Sequence, residues 1–344
     1  MPTFSPRYAF AAPITTDKIT PKIIARAVNS LTTFSGGIYG STLIGGLCAI
    51  VYKDILNIHT IMIIDGRKIA ERVERQARER VERLREVGVK PKLVVLSTTS
   101  AEGAKIYEGV RRRACDRVGI ICERIDLTGA SEEEVIGEVE ALNQDESVHG
   151  ILLEAPWSPD IDPRRVFMAM DPLKDVEGLS PCNLGALIAG REDIAPCTPR
   201  AVIEIAQSIG FEFEGADVVV VNHSMVVGKP LSIMLLNRNA TVHVCHVYTK
   251  NIVDSTKKSD MLIVAAGVPG LIGREHVKEG AVVIDVGMNR VNGRVVGDAR
   301  FDELLDYVKA ITPVPGGVGP VTTAYLMLNT VICAERVSSM RGII

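Results

Sequence analysis

From residue 63 onward, short runs rich in β-branched residues alternate with longer stretches of helical periodicity, and no other feature constrains this chain as much. Strands joined by amphipathic crossover helices run parallel, so the pattern predicts an α/β protein. We expect two α/β domains, the second a Rossmann-like doubly wound parallel sheet, with a cleft between them. The stretch 69–87 places Ile69, Val73, Ala77, Val81 and Leu84 at helical spacing, with charges on the remaining faces. Strands are expected at 92–96 and 120–127 around a helix over 104–118. Ser131 with Glu134 makes a capping-box start for a helix reaching about residue 143, and Val148-His-Gly-Ile-Leu-Leu153 reads as the next buried strand.

A polar, proline-marked passage over 156–196 breaks the rhythm. Thr198 before Pro199 reads as an N-cap followed by a first-turn proline, predicting a helix to about residue 209. Apolar strands at 217–221, 241–245, 261–265 and 281–286 then form a second doubly wound unit. The expected division is an extension over 1–61, one domain over 62–200 that regains a helix at 320–338, and a second domain over 201–319. The cleft between them is the expected ligand site.

A hydrophobic content of 47% and a charged content of 24% are those of a globular chain with enough core for two domains. A formal net charge of -3 leaves no basic surplus for a phosphate backbone, so small molecules rather than nucleic acid are the expected partners. The 7 cysteines show no C-x-x-C pair and no zinc-ligand spacing; they read as reduced thiols, and no metal is expected.

Residues 1–61 differ from the rest. No charge occurs between Arg26 and Lys53, and the apolar run 36–51 is rich in Gly, Ser and Thr, which disfavours membrane insertion. Two readings stay open: a true start at Met62 or an unstructured extension on one side, a targeting or anchoring segment on the other.

Five stretches carry chemistry. After the strand at 217–221 comes Asn222-His-Ser-Met-Val-Val-Gly228-Lys-Pro230 and then a helix, whose N-terminal backbone N–H groups and dipole suit a pyrophosphate, although G-x-G-x-x-G spacing is absent. In Ile311-Thr-Pro-Val-Pro-Gly-Gly-Val-Gly-Pro320, prolines stiffen and glycines permit close approach, which suits a loop lying flat on a planar ligand; a rigid turn before the last helix is the plainer alternative. Tyr107 and Arg111 share a helix face, which could equally be a solvated basic stripe since Arg112 and Arg113 follow. Glu154 closes a buried strand, where α/β enzymes place functional groups, and Asp171-Pro-Leu-Lys-Asp175-Val-Glu177-Gly178 sets three carboxylates around a lysine, an arrangement that ordinary loops also show. His149 reads as structural, while His223 and His246 flank the proposed dinucleotide loop.

These stretches, together with Ile64-Asp-Gly-Arg-Lys-Ile-Ala70, Ala195-Pro-Cys-Thr-Pro199 and Gly280-Ala-Val-Val-Ile-Asp-Val-Gly287, resemble in order and wording the bacterial-type bifunctional methylenetetrahydrofolate dehydrogenase/methenyltetrahydrofolate cyclohydrolase family. Only residues 1–61 lie outside the resemblance. It implies a folate-binding catalytic domain and an NAD(P)-binding domain, and oxidation of 5,10-methylenetetrahydrofolate to 5,10-methenyltetrahydrofolate followed by hydrolysis to 10-formyltetrahydrofolate. It also implies a cytoplasmic homodimer serving one-carbon metabolism and purine biosynthesis. Tyr107 would lie against the pterin, and Leu153, Glu154, Ala155 and the loop Pro315, Gly316, Gly317, Val318, Gly319 would line the tetrahydrofolate site. Asn222, His223, Ser224, Val247 and Met288 would contact the dinucleotide.

The chain departs from the family's pattern in the catalytic site. Arg111 stands at the lysine of Y-x-x-x-K, Glu154 at a glutamine, and Glu177 at the second aspartate of K-D-V-D-G. Arginine stays charged and cannot serve as a base, so the dehydrogenase is expected to persist while hydrolysis suffers, with Arg111 and Glu154 forming an ion pair. His223 stands where NADP-using members often carry arginine; NADP is the expected cofactor, with NAD open and Lys250 available to substitute for that arginine. Other readings are a dehydrogenase for amino or hydroxy acids on the same plan, a catalytically silent folate-binding homologue, and a membrane-tethered form.

Overall fold

The computed structural model describes residues 61–100 and 102–344, without the side chains of 102–107. Readings that fall on residues 1–60 therefore lie outside the described residues.

Two parallel sheets organise this part of the chain. The first has three strands in the order β3–β2–β4, with β2 Lys92–Ser97 central between β3 Ile121–Asp126 and β4 Gly150–Glu154. Helix α1 (Gly66–Glu86) precedes it, and α2 (Glu102–Val118) and α3 (Glu132–Gln144) are its crossovers. β2 and β4 are buried along nearly their whole length, as the crossover pattern requires of strands covered on both faces. The apolar face of α1 is the one anticipated: Val73, Ala77, Val81 and Leu84 are all buried. Each such large side chain contributes about 1.5–3 kcal/mol. The Asp65 side chain accepts from Arg67 N at 3.0 Å to cap that helix, and Gly88, at φ 83°, carries the chain out of it.

Where no regular structure was anticipated, the passage 156–196 contains two short helices, α4 (Pro163–Ala169) and α5 (Pro181–Ile188). Asp162 and Ser180 cap them, each with proline in the first turn. Helix α6 (Cys197–Ser208) starts one residue before Thr198, on Pro196 and without a side-chain cap, so the expected Thr198 cap is corrected.

The second sheet has six parallel strands. In order they are β1 Met62–Ile63, β11 Ala310–Ile311, β8 Val282–Asp285, β7 Met261–Val264, β5 Asp217–Val221 and β6 Thr241–Cys245. β6 pairs to one side of β5 and β7 to the other, so the carboxyl ends of β5 and β7 form a topological switch point, the usual ligand crevice of open α/β sheets. Helix α7 (Gly228–Leu236) follows β5, the short α8 (Ile252–Thr256) follows β6, and the short α9 (Phe301–Leu304) precedes β11. Met62 and Ile63 belong to this second sheet rather than to the first, hydrogen-bonded through Met62 N to Lys309 O at 3.0 Å. A hairpin of β9 (Asn289–Val291) and β10 (Arg294–Val296) turns on Asn292 and Gly293, both at positive φ.

The last helix, α10 (Val318–Met340), is longer than the expected 320–338 and packs on α1 and α6. Its buried Asn329 donates to Val176 O at 2.8 Å and Ala195 O at 3.0 Å, tying the Asp175–Gly178 turn to the start of α6. Among the described residues no helix is long and apolar enough to cross a membrane.

His149 is structural. Its Nδ1 accepts from Lys92 N at 3.3 Å, and burial, followed by the charges of Arg341 and Lys174, lowers its pKa to about 4. Because the unfolded imidazole protonates near pH 6.5 while the folded one stays neutral, stability is lost as pH falls through the window from about 6.5 to about 4. We expect His149 to account for a loss of about 2 kcal/mol between pH 6.5 and 5, seen as a smaller pH dependence of urea unfolding in His149→Gln. Equal pH dependence in the variant and the parent protein would refute this assignment.

Candidate functional site

Two groups of residues make up the candidate site, one at each sheet. In the first, Glu154 ends β4 and Arg111 projects from α2; both are 5% exposed, and Arg111 Nη1 donates to Glu154 Oε1 at 2.5 Å. The anticipated ion pair therefore forms, and the basic-stripe reading of Arg111 is excluded by its burial. The pair leaves Arg111 Nε and Glu154 Oε2 buried without a hydrogen-bond partner among the described residues. Tyr107 lies on the same helix, but its side chain is outside the described residues.

The turn Asp175–Gly178 brings two more carboxyls. Asp175 Oδ2 accepts from Ser180 N at 2.7 Å and Asn183 Nδ2 at 2.9 Å, while its Oδ1 is buried and unpartnered among the described residues. Glu177 keeps part of its surface open, yet its carboxyl sits among protein atoms. Burial, reinforced by Asp175 and opposed by Arg111, pushes its pKa up to about 8. It is therefore mostly protonated at neutral pH. Lys174, the lysine of this string, is occupied elsewhere, with Nζ donating to the carbonyls of Leu142, Asn143 and Asp145. It supports the fold rather than the site.

The proline-bracketed loop uses its glycines for close approach to protein. Gly66 N donates to Gly316 O at 2.9 Å, and a Cβ on Gly66 would stand 1.8 Å from Gly317 O, so the loop docks on the start of α1 backbone to backbone. From Val318 the chain enters α10, where Thr322 Oγ1 lies 3.4 Å from Thr198 Oγ1, beside the Cys197 thiol that bonds to Val176 O. Pro315, Gly316, Gly317, Val318 and Gly319 are thus linked to the Glu177 turn through α10 and the start of α6. Leu153 is buried in β4 and serves the core, whereas Ala155 beyond it is exposed.

The second group lies at the switch point. Asn222 follows β5 and spans it: Nδ2 donates to Ala265 O beyond β7 at 2.6 Å, while Oδ1 accepts from Ser224 N at 2.8 Å and Gly228 N at 2.9 Å. A Cβ on Gly228 would meet Asn222 O at 2.1 Å, so this tight turn into α7 requires glycine. His223 and Ser224 are exposed on the turn, Val247 is 84% exposed beyond β6, and Met288 is 50% exposed beyond β8. Asp298, absent from the anticipated set, holds the facing loop by accepting from Ala266 N and Gly267 N. Buried Asp285, also unanticipated, accepts from Gly287, Asp298 and Ala299 N–H groups while burial raises its pKa to about 6. The only sequence signal for either was an aspartate at the edge of an apolar run.

Met225 and Val226 of the Asn222 turn pack against the core cluster that contains Leu153 and Trp157. The turn at the switch point of the second sheet therefore packs on the core of the first. A tight strand–turn–helix, a glycine-bounded loop facing it across the switch point and exposed side chains around both are what a dinucleotide requires. Among the described residues no group of three His, Cys, Asp or Glu side chains could hold a metal ion.

Comparison with known proteins decides the family. Residues 64–177 match the catalytic domain and residues 196–338 the NAD(P)-binding domain described as tetrahydrofolate dehydrogenase/cyclohydrolase. The chain belongs to that family. A relative named bifunctional protein FolD from Methanococcoides burtonii is 43% identical over 276 residues, covering 80% of this chain and 96% of its own. The crystal structure of the bifunctional FolD enzyme of Campylobacter jejuni is 36% identical with a TM-score of 0.78, covering 80% of this chain and 99% of that one. A Trypanosoma brucei methylenetetrahydrofolate dehydrogenase-cyclohydrolase, solved with NADP and an inhibitor, is 36% identical with a TM-score of 0.76, covering 82% and 99%. Within this chain, Arg111, Glu154 and Glu177 are the residues of interest, because their ionisable groups lie close enough to feel one another in a buried setting.

Removing one member of the Arg111–Glu154 pair strands the other charge in the core. Arg111→Leu and Glu154→Leu should each cost about 3–5 kcal/mol, and the double variant far less than their sum. Denaturant unfolding of the three variants measures this; additive costs would show that the pair does not interact.

Proposed function

We propose that this protein oxidises 5,10-methylenetetrahydrofolate to 5,10-methenyltetrahydrofolate with NADP, accepting NAD as well, and hydrolyses the product poorly. The observation that supports this reading is the packing of Met225 and Val226 against the core of the first sheet, which brings the nucleotide turn onto the part of the protein that carries the buried carboxyl cluster. A dinucleotide held there supplies the hydride acceptor. The task of the residues is then alignment of two planar partners and exclusion of water, which lowers the barrier without any protein group changing its bonds.

In this reading Glu154 Oε2 and Asp175 Oδ1, buried acceptors with no protein donor among the described residues, take N–H groups of the folate ring. Glu177 adds a carboxyl that keeps its proton below about pH 8 and can donate. Hydrolysis has a different need. Water must lose a proton as it adds to the methenyl carbon, and Arg111 cannot accept one, Glu154 is held in the ion pair, and Glu177 is already protonated.

The remaining site residues are proposed in the roles the family resemblance implies. Tyr107 lies against the pterin, Ala155 and residues 315–319 border the folate, and Asn222, His223, Ser224, Val247 and Met288 border the dinucleotide, while Leu153 stays in the core behind them. Family membership also supports a cytoplasmic homodimer, and the open edge of β6, with Val244 42% exposed, offers a surface for a second copy.

Absorbance at the reduced-nicotinamide band should rise when 5,10-methylenetetrahydrofolate and NADP are mixed with the enzyme. No rise with either NADP or NAD would overturn the assignment. Arg111→Lys combined with Glu154→Gln should raise production of 10-formyltetrahydrofolate at least about tenfold, since a positioned base contributes 10²–10⁴-fold.

A further inference from the structure

His246 follows β6, at the edge of the crevice where Rossmann-like proteins read the 2′ position of the adenosine ribose. That position usually carries a carboxylate for a 2′-hydroxyl or an arginine for a 2′-phosphate. Here the strand and its exit read Thr241-Val-His-Val-Cys-His-Val-Tyr-Thr-Lys250, with neither.

His246 is held in one orientation by its own turn. Its backbone N donates to Thr249 Oγ1 at 2.9 Å, its carbonyl accepts from Thr249 N at 2.8 Å, and its ring Nδ1 accepts from Tyr248 N at 3.2 Å. A neutral imidazole whose Nδ1 accepts carries its hydrogen on Nε2, so the far side of the ring is a donor. The ring of His223, on the turn after β5, lies against it with centroids 4.7 Å apart at 44°, and the Tyr248 ring packs edge-on to it at 5.9 Å. His246 is half-buried, while Val247 and Tyr248 beyond it are more than four-fifths exposed.

Resting on the dinucleotide reading above, we infer that His246 donates from Nε2 to the 2′ oxygen of the adenosine ribose, or to a phosphate on it, and that this chain therefore accepts both NADP and NAD. A neutral donor serves either group. No carboxylate follows β6 to repel a phosphate, and no guanidinium stands there to demand one. Lys250, exposed four residues on, adds a weak preference for the phosphate.

Calorimetric titration of the full chain with adenosine 2′,5′-bisphosphate and with 5′-AMP tests this without turnover. The parent protein should bind the bisphosphate within about tenfold of 5′-AMP. His246→Phe keeps a ring beside His223 but removes the donor, and should weaken the bisphosphate about tenfold or more, the usual worth of a hydrogen bond to a charged group, and 5′-AMP by a smaller factor of about twofold or more, since its 2′-hydroxyl oxygen is a neutral acceptor. His246→Gln, which keeps an N–H, should recover most of that loss. Unchanged bisphosphate affinity in His246→Phe would overturn the inference, as would a bisphosphate preference above about a hundredfold in the parent. If neither nucleotide binds the parent, the dinucleotide reading itself fails and this one with it.

Discussion

Arg111 and Glu154 are almost fully withdrawn from water, and two such charges are tolerable only if each neutralises the other in place. That requirement governs the site. It fixes the face that α2 turns toward β4, and it fills the cleft floor with a guanidinium that cannot give up its proton. Glu177, with Asp175 beside it and burial around it, keeps its proton to about pH 8. The arrangement suits binding and orientation by hydrogen bonds, and ill suits a step that must take a proton from water.

The same economy of space joins the two sheets. Gly66 and Gly317 meet at a distance that excludes any side chain, which explains why a glycine pair and a glycine at the start of α1 recur in two distant strings of the sequence. Asn329 fastens the Glu177 turn to α6 from within the last helix, and Met225 and Val226 lay the nucleotide turn against the first core. These contacts hold the buried carboxyl cluster and the switch point in one packed unit.

Much of this was legible in the sequence, since strands such as 217–221 and helices such as α1 carry their own periodicity. Patterns that depend on partners were not. Met62 and Ile63 are two residues long and take their place in the second sheet only because β11 offers an edge. The helices α4 and α5 are short, and their signal was the Asp-Pro and Ser-Pro pairs rather than an apolar stripe. The β9–β10 hairpin was announced by Asn292-Gly293 within a helix-poor stretch and was overlooked. In the site, Arg111 and Glu154 were found as a pair because opposite charges had replaced the expected residues together. The orientation of His246, by contrast, depends on a backbone N–H two residues away, which no spacing rule conveys.

The central claim is that the Arg111–Glu154 pair leaves the site without a base for water while leaving it able to align a hydride donor and acceptor. The most direct test is the rate at which the enzyme removes added 5,10-methenyltetrahydrofolate at neutral pH, read from the decay of its near-ultraviolet absorbance against the same preparation's rate of NADP reduction. The account predicts hydrolysis slower than dehydrogenation by about 100-fold or more. Hydrolysis that keeps pace with dehydrogenation would contradict it.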